Sequence, residues 1–151
     1  PSAAPPRQMT PTRLPAVARR GVLTGARVLL CEDETDAREF VADLLREYGA
    51  TVTEASSVAE ALERFEAQPP DVLVSDIGMP GRDGYALIES VRARPPERGG
   101  AVPALALTGF ARAEDARRAL GAGFQLHLTK PVEPDGLVAA VVQLWEGRGA
   151  R

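Results

Sequence analysis

The chain has 151 residues, of which 44% are hydrophobic and 5% aromatic, and its formal net charge is −3. This length fits one domain with a tail, and this hydrophobic content supports an aliphatic core, which excludes a globally disordered chain. The single Cys31 excludes an internal disulfide, the absence of a His/Cys cluster argues against zinc, and no apolar run is long enough to span a membrane.

The N-terminal segment differs in composition from the rest of the chain. Residues 1–25 contain five of the thirteen prolines, four arginines and no acidic residue. A basic arm for nucleic acid is one interpretation, but scattered arginines among prolines are more typical of a solvated linker. The remaining chain is acidic, which disfavours phosphate-backbone binding. We therefore predict a flexible linker over 1–25, one domain over 26–147 and a disordered end at 148–151.

From residue 26 onward, short apolar runs alternate with amphipathic segments, which predicts five strands that are each followed by a helix. The predicted strands are 27–31, 51–54, 71–75, 102–107 and 124–128. The predicted helices are 36–48, a second that opens at a Ser57–Glu60 capping box, 84–92, 113–120 (closed by Gly121) and 135–145. Such alternation favours right-handed parallel crossovers. We predict an α/β, flavodoxin-like doubly wound (βα)5 fold with a five-stranded parallel sheet in the order 2-1-3-4-5.

The stretch DVLVSDIGMPGRDG, residues 71–84, places a carboxylate at the end of the central strand. Asp76 follows an apolar run and precedes a loop rich in glycine and proline. The switch point of the predicted sheet lies between the first and third strands, where ligands bind in such folds. Because the first strand ends in Glu32 and Asp33, we expect three carboxylates in one crevice.

Clustered carboxylates repel one another, and a divalent cation relieves that repulsion. Oxygen ligands in a partly open site favour Mg²⁺ over Ca²⁺, which needs more ligands. Thr108 and Lys130 end the fourth and fifth strands at the same edge of the sheet. A cation, an ammonium group and a hydroxyl are what a transferring phosphoryl group requires, so Asp76 is a candidate nucleophile that would form an aspartyl phosphate.

Simpler interpretations exist for several of these residues. The acidic turn at 32–34 could be a solvated surface feature, and Asp83 is more simply a helix cap than a ligand. Cys31 is interpreted as a buried strand residue rather than a redox sensor. A flavodoxin-like electron carrier would need a hydroxyl- and glycine-rich phosphate loop after the first strand, where this chain has acidic residues.

Taken together, these motifs resemble the response-regulator receiver domain of two-component signalling, over residues 26–147. The matching pieces are the Glu32–Asp33 pair, Asp76 in the DIGMPGRDG loop, Thr108 and Lys130–Pro131. The alternating sequence of residues 126–130 and the composition of the linker look most like those of a receiver fused to a hybrid sensor histidine kinase. A stand-alone single-domain regulator and an interaction-only pseudo-receiver are the alternatives.

The resemblance implies a metal site. Asp33, Asp76 and the backbone carbonyl of Gly78 would bind Mg²⁺, and Glu32 would reach the ion through a water molecule. The isomer of the Lys130–Pro131 peptide bond, which would aim the lysine, is not fixed by the sequence.

The resemblance also implies a reaction and partners. The phosphohistidine of a histidine kinase or phosphotransfer domain, in cis or in trans, would donate a phosphoryl group to Asp76. Lys130 and Thr108 would contact that group, and a shift of Thr108 would remodel the face formed by the fourth and fifth helices. The domain would catalyse only its own phosphorylation and dephosphorylation, although the parent chain could be a kinase. We expect a cytoplasmic bacterial domain without direct nucleic-acid or membrane contact; homodimerisation is left open.

The sequence departs from the family pattern in two ways. His127, the chain's single histidine, stands where the family usually has Tyr or Phe as partner of the switch threonine. It is either a partly exposed strand residue or the basis of altered, pH-sensitive switching. Gly78 and Phe110 occupy the positions two after the acceptor and two after the threonine, and neither side chain could orient an attacking water. We therefore predict slow self-dephosphorylation.

Overall fold

A computed structural model describes residues 20–79, 83–109 and 113–147. Five parallel strands form one sheet in the order β2-β1-β3-β4-β5, as predicted. The strands are β1 (Arg27–Cys31), β2 (Thr51–Ala55), β3 (Val72–Asp76), β4 (Ala104–Thr108) and β5 (Leu126–Thr129). The register pairs Cys31 of β1 with Ser75 of β3, so the residues that follow these two strands emerge side by side.

Five helices cover the two faces of the sheet. They are α1 (Thr35–Glu47), α2 (Val58–Ala67), α3 (Gly84–Arg92), α4 (Ala113–Ala122) and α5 (Pro134–Gly147), and a short 3-10 helix spans Pro96–Arg98. Helices α1 and α5 pack on one face, and α2, α3 and α4 pack on the other. No helix in the described part of the chain is long and apolar enough to cross a membrane.

The alternation of side chains along β1 shows how two cores form from one sheet. Val28 and Leu30 lie in the α1/α5 core, whereas Leu29 and Cys31 lie in the α2/α3/α4 core. Successive strand residues point to opposite faces, so every position of a strand that is covered on both sides is buried. The five residues of β3 are all buried for this reason.

Side-chain caps fix the starts of two helices. The Ser57 hydroxyl accepts the N–H of Glu60 at 3.1 Å at the start of α2, as the predicted capping box requires. The Glu60 carboxylate, however, accepts from the N–H and hydroxyl of Ser56 rather than from the N–H of Ser57. The Asp83 carboxylate accepts the N–H groups of Tyr85 and Ala86, so its predicted role as the cap of α3 is confirmed.

Several predicted boundaries differ from the structure: β4 begins at Ala104 instead of residue 102, and β5 begins at Leu126 instead of residue 124. The predicted linker over 1–25 extends too far, because Leu23 is fully buried and its N–H donates to the carbonyl of Tyr48 at 2.8 Å, so the folded unit includes residues 20–25. The remaining predicted linker residues and the end at 148–151 lie outside the described residues. Helix α4 does not close at Gly121 but continues to Ala122, and the left-handed residue is Gly123 with φ 129°.

Candidate functional site

Three carboxylates meet at the carboxyl ends of β1 and β3. Glu32, Asp33 and Asp76 each offer an oxygen within 4.8 Å of the others. Asp76 is the last residue of β3, and Glu32 directly follows β1, the neighbouring strand. The structure therefore brings together the three acidic residues that the predicted topology placed in one crevice.

Lys130 joins two of these carboxylates. Its Nζ lies 3.0 Å from Oδ1 of Asp76 and 3.0 Å from Oε1 of Glu32. The Lys130 N–H donates to the carbonyl of Thr108 at 2.7 Å, which ties the end of β5 to the end of β4, and the Lys130–Pro131 peptide bond is cis. The Asp76 carboxylate thus contacts an ammonium group while only 4% of the residue is exposed.

Glu32 is more deeply buried than an ordinary acidic turn residue, with 1% of its surface exposed. Its Oε2 accepts the N–H of Glu34 at 3.1 Å, and the guanidinium of Arg38 donates to its backbone carbonyl at 3.0 Å. Burial raises the pKa of Glu32, and the hydrogen bond from Lys130 opposes that rise. The interpretation of 32–34 as a solvated turn is therefore wrong for Glu32.

The charge balance of this cluster fits a divalent cation. The carboxylates of Glu32, Asp33 and Asp76 outnumber the one ammonium of Lys130, and two of the three are buried. Buried carboxylates without full compensation favour proton or cation uptake. The donors are oxygens, which suits Mg²⁺ rather than a thiolate- or imidazole-seeking metal.

The acceptor faces an open cleft of about 380 Å³. Asp76, Thr108 and Lys130 all line it, so the predicted acceptor, hydroxyl and ammonium share one space. The buried Thr108 hydroxyl donates to the carbonyl of Leu128 at 3.5 Å. A Cβ built on Gly78 meets nothing within 4 Å, so the cleft is uncrowded beside this residue.

Two lining residues were not singled out from the sequence. The buried ring of Tyr85 and the exposed side chain of Arg118 both border the cleft, and the Arg118 guanidinium carbon lies 4.0 Å from the centroid of the ring. Tyr85 could have been flagged because it follows the capping residue of α3. Nothing in the sequence distinguishes Arg118 from its neighbour Arg117.

Cys31 is a buried strand residue, as interpreted. Its Sγ lies 3.7 Å from Sδ of Met79 and 3.5 Å from the carbonyl of Ser57. Burial and the negative charge of Glu32 raise the pKa of the thiol to about 12. The thiolate, which is the reactive form, is therefore strongly disfavoured.

His127 is buried, with 5% of its surface exposed, so the interpretation of a partly exposed strand residue is wrong. Its Nδ1 has no hydrogen-bond partner in the described structure, and burial lowers the pKa of the imidazole. The neutral ring is therefore favoured in the folded state. Its pairing with Ala106 places it on β5 opposite β4, the strand that ends in Thr108.

The buried imidazole should make folding stability depend on pH. Because the folded pKa lies below the reference value of 6.5, the unfolded chain takes up a proton first as the pH falls. Wild-type stability should therefore fall below pH 6.5 by up to about 1.4 kcal/mol per pH unit, whereas His127→Phe should lack this loss. Urea unfolding of both proteins at several pH values measures the difference.

Comparison of the two proteins isolates this effect. The chain has one histidine, so His127→Phe removes its imidazole titration completely. The raised pKa of Glu32 lowers stability as the pH rises, but this effect is common to the wild type and the variant and cancels in the comparison. If the free energies of unfolding of the two proteins changed in parallel from pH 7.5 to 5.5, the pKa of His127 would be the same in the folded and the unfolded chain.

Known proteins match this chain in sequence and structure. Residues 28–142 match the family described as response regulator receiver domain. An uncharacterized 14.6 kDa protein of Leptolyngbya boryana is 44% identical over 116 residues, covering 77% of this chain and 87% of that protein. The sensor histidine kinase GacS of Pseudomonas protegens is 33% identical over 145 residues, which cover 95% of this chain but 16% of that kinase.

Solved structures agree with the sequence match. A putative response regulator from Chloroflexus aurantiacus is 32% identical, with a TM-score of 0.76 over 80% of this chain and 98% of that one. The signal receiver domain of a histidine kinase from Syntrophus aciditrophicus is 29% identical, with a TM-score of 0.73 over 82% and 92%. The chain therefore belongs to the response regulator receiver domain family, the phosphoacceptor domains of two-component systems.

Proposed function

We propose that Asp76 accepts a phosphoryl group from a phosphohistidine of a partner kinase or phosphotransfer domain. The observation that carries this proposal is the position of its carboxylate: it lies 3.0 Å from the Lys130 ammonium, inside an acidic cluster, and borders an open cleft that Thr108 also lines. An anionic nucleophile, a fixed cation and a hydroxyl at one cleft suit phosphoryl transfer.

In the proposed reaction, an oxygen of Asp76 bonds to phosphorus while the bond from phosphorus to the histidine nitrogen breaks. The electron pair of the broken bond stays on the imidazole. Lys130 offsets negative charge on the phosphoryl oxygens, since its ammonium already lies against the Asp76 carboxylate. Thr108 would donate its hydroxyl to the same oxygens.

We propose Mg²⁺ as the cofactor. Asp33, Asp76 and the backbone carbonyl of Gly78 would hold the ion, with Glu32 acting through water, and the bound ion supplies positive charge beside the transferring group. Glu32 also contacts the Lys130 ammonium at 3.0 Å.

The output would use the face formed by α4 and α5. In this structure the Thr108 hydroxyl faces the carbonyl of Leu128 on β5. Donation to a phosphoryl group would compete with that contact, and His127 precedes Leu128 on β5. We propose that this exchange changes how α4 packs on the sheet.

Intact mass measurement tests the proposal. Incubation with acetyl phosphate and Mg²⁺ should add the mass of one phosphoryl group to the wild type and none to Asp76→Asn. The substitution removes the anionic nucleophile at nearly constant volume. An adduct that persists in Asp76→Asn, or a wild type that gains no mass, would defeat the proposal; the second result favours an interaction-only domain.

The relatives support two contexts for the domain. GacS favours a receiver within a hybrid sensor kinase, of which this chain covers 16%. The 14.6 kDa relative, of which it covers 87%, favours a stand-alone regulator. We propose the hybrid context first, with a cytoplasmic domain and the phosphodonor in cis or in trans. The full-length gene distinguishes the two.

The aspartyl phosphate is expected to be long-lived because Gly78 lacks a side chain that could orient water; Phe110, the second predicted contributor, lies outside the described residues. The space around Gly78 accepts a side chain without contact within 4 Å. Gly78→Asn should therefore speed dephosphorylation by roughly tenfold, because its amide would position a water. Release of phosphate from the isolated phosphoprotein gives both rates, with Gly78→Ala as control. A wild-type half-life of seconds would contradict this expectation.

A further inference from the structure

A second cationic side chain, which has no role in the proposed reaction, lines the acceptor cleft. Arg118 of α4 lines the same cleft as Asp76 and Lys130. Among the described residues it forms no ion pair with a carboxylate, whereas Lys130 contacts two. Its exposed guanidinium therefore retains hydrogen-bond donors for an anion in the cleft.

Phosphorylation increases the need for such a cation. The Lys130 ammonium is shared by Glu32 and Asp76, so its charge is already offset before a phosphoryl group arrives. A phosphoryl group on Asp76 carries more negative charge than the carboxylate it replaces. A planar guanidinium suits phosphate oxygens because two parallel N–H groups match their spacing.

Tyr85 holds Arg118 in place. The guanidinium carbon lies 4.0 Å from the ring centroid, within the range of a cation–π contact. The ring itself is buried, and the N–H of Tyr85 is fixed by the capping carboxylate of Asp83. Tyr85 is thus a rigid platform in the first turn of α3, and it presents the arginine of α4 toward the cleft.

We propose that Arg118 binds the phosphate oxygens of the phosphodonor and of phosphorylated Asp76, with Tyr85 as its positioning residue. This inference rests on the proposed function of Asp76. With acetyl phosphate as donor, the Asp76 oxygen bonds to phosphorus, the bond from phosphorus to the acetyl oxygen breaks, and acetate leaves with the electron pair. Arg118 gains and loses no proton.

The test is the dependence of the initial phosphorylation rate on acetyl phosphate concentration, at saturating Mg²⁺. Arg118→Gln should raise the half-saturating concentration by about tenfold, the effect of one charge-assisted hydrogen bond. Arg117→Gln is the matched control, because Arg117 is an adjacent exposed arginine that does not line the cleft, and it should behave as wild type. Tyr85→Leu, which removes the ring face, should give an intermediate rise.

The outcomes separate this inference from the proposed function. A wild type that gains no phosphoryl group overturns both. A phosphorylated wild type with equal half-saturating concentrations in Arg118→Gln and Arg117→Gln overturns the role of Arg118 alone. Thermal unfolding shows whether both arginine variants are folded. If Arg118→Gln changed only thermal stability and left the half-saturating concentration at the wild-type value, that result would also contradict phosphate binding.

Discussion

Replacement of Lys130 by methionine is expected to slow phosphorylation of Asp76 by at least about a hundredfold, while Mg²⁺ binds more tightly. The rate falls because the ammonium that lies 3.0 Å from the acceptor is lost, and with it the charge that offsets the transferring oxygens. Methionine keeps a long, flexible side chain, so the loss is mainly one of charge.

Metal binding should change in the opposite direction because Lys130 and the cation compete for the same carboxylates. The ammonium contacts Glu32 and Asp76 at 3.0 Å each, and its removal leaves the acidic cluster with less compensation. Lys130 also lowers the pKa of Glu32, so the variant should release more protons when it binds metal at neutral pH.

Calorimetric titration with Mg²⁺ at pH 8 and stopped-time phosphorylation assays measure the two effects. Lys130→Arg is the control, because it keeps the positive charge and should retain the wild-type metal affinity. In metal-free buffer Lys130→Met should melt at a lower temperature than the wild type, and Mg²⁺ should restore most of the difference. Weaker Mg²⁺ binding by Lys130→Met would contradict competition at this cluster.

The sheet order and the meeting of the three carboxylates were predictable because both follow from chain connectivity. Apolar runs that alternate with helical segments restrict the fold to parallel crossovers, and the winding then fixes which strand ends are neighbours. Glu32 and Asp76 are therefore neighbours in the fold regardless of their side-chain conformations. The same logic placed Thr108 and Lys130 at that edge of the sheet.

Features that depend on packing were not predictable in this way. Leu23 follows a proline-rich segment, and its burial depends on contacts with the end of α1 that no local pattern reveals. The sequence predicts a helix end at Gly121, whereas the residue with positive φ is Gly123. Burial of His127 likewise reflects the cover supplied by neighbouring elements rather than its own strand pattern.

Side-chain partners within the site were also beyond the sequence. The direct contact between Glu32 and Lys130 depends on side-chain conformation and burial, which the sequence pattern does not specify. Arg117 and Arg118 are identical residues in one helix, and the position of α4 against α3 alone decides which of them reaches Tyr85. The placement of loops and helices thus determines which side chains border the cleft, whereas chain connectivity determines that the acidic residues at the strand ends are neighbours.

Gly84→Ala is expected to destabilise the domain by about 2 kcal/mol and to slow phosphorylation by roughly tenfold or more. A Cβ on Gly84 would collide with the backbone carbonyl oxygen of Asp76 and would lie 2.9 Å from Cα of Ile77. These are backbone atoms at the end of the acceptor strand, so neither can rotate away as a side chain would.

The steric effect outweighs the helix propensity of alanine. Alanine gains up to about 1 kcal/mol over glycine inside a helix, but Gly84 is the first residue of α3, where that gain is smaller. Relief of the collision requires α3 to move away from β3 or Asp76 to shift, and the N–H of Gly84 would lose its 3.1 Å bond to the carbonyl of Ile77. A shift of Asp76 moves its carboxylate away from Lys130, and a movement of α3 displaces Asp83 and Tyr85, which line the acceptor cleft.

Gly78→Ala is the matched control, since a Cβ at this glycine near the end of β3 meets nothing within 4 Å. Urea unfolding and the initial rate with acetyl phosphate should both separate the variants, with Gly78→Ala near the wild type in stability and rate. If Gly84→Ala kept wild-type stability and phosphorylation, the close approach of α3 to the acceptor strand would not constrain the site. The expected loss of both would show that the glycine at the start of α3 sets the position of the Asp76 carboxylate.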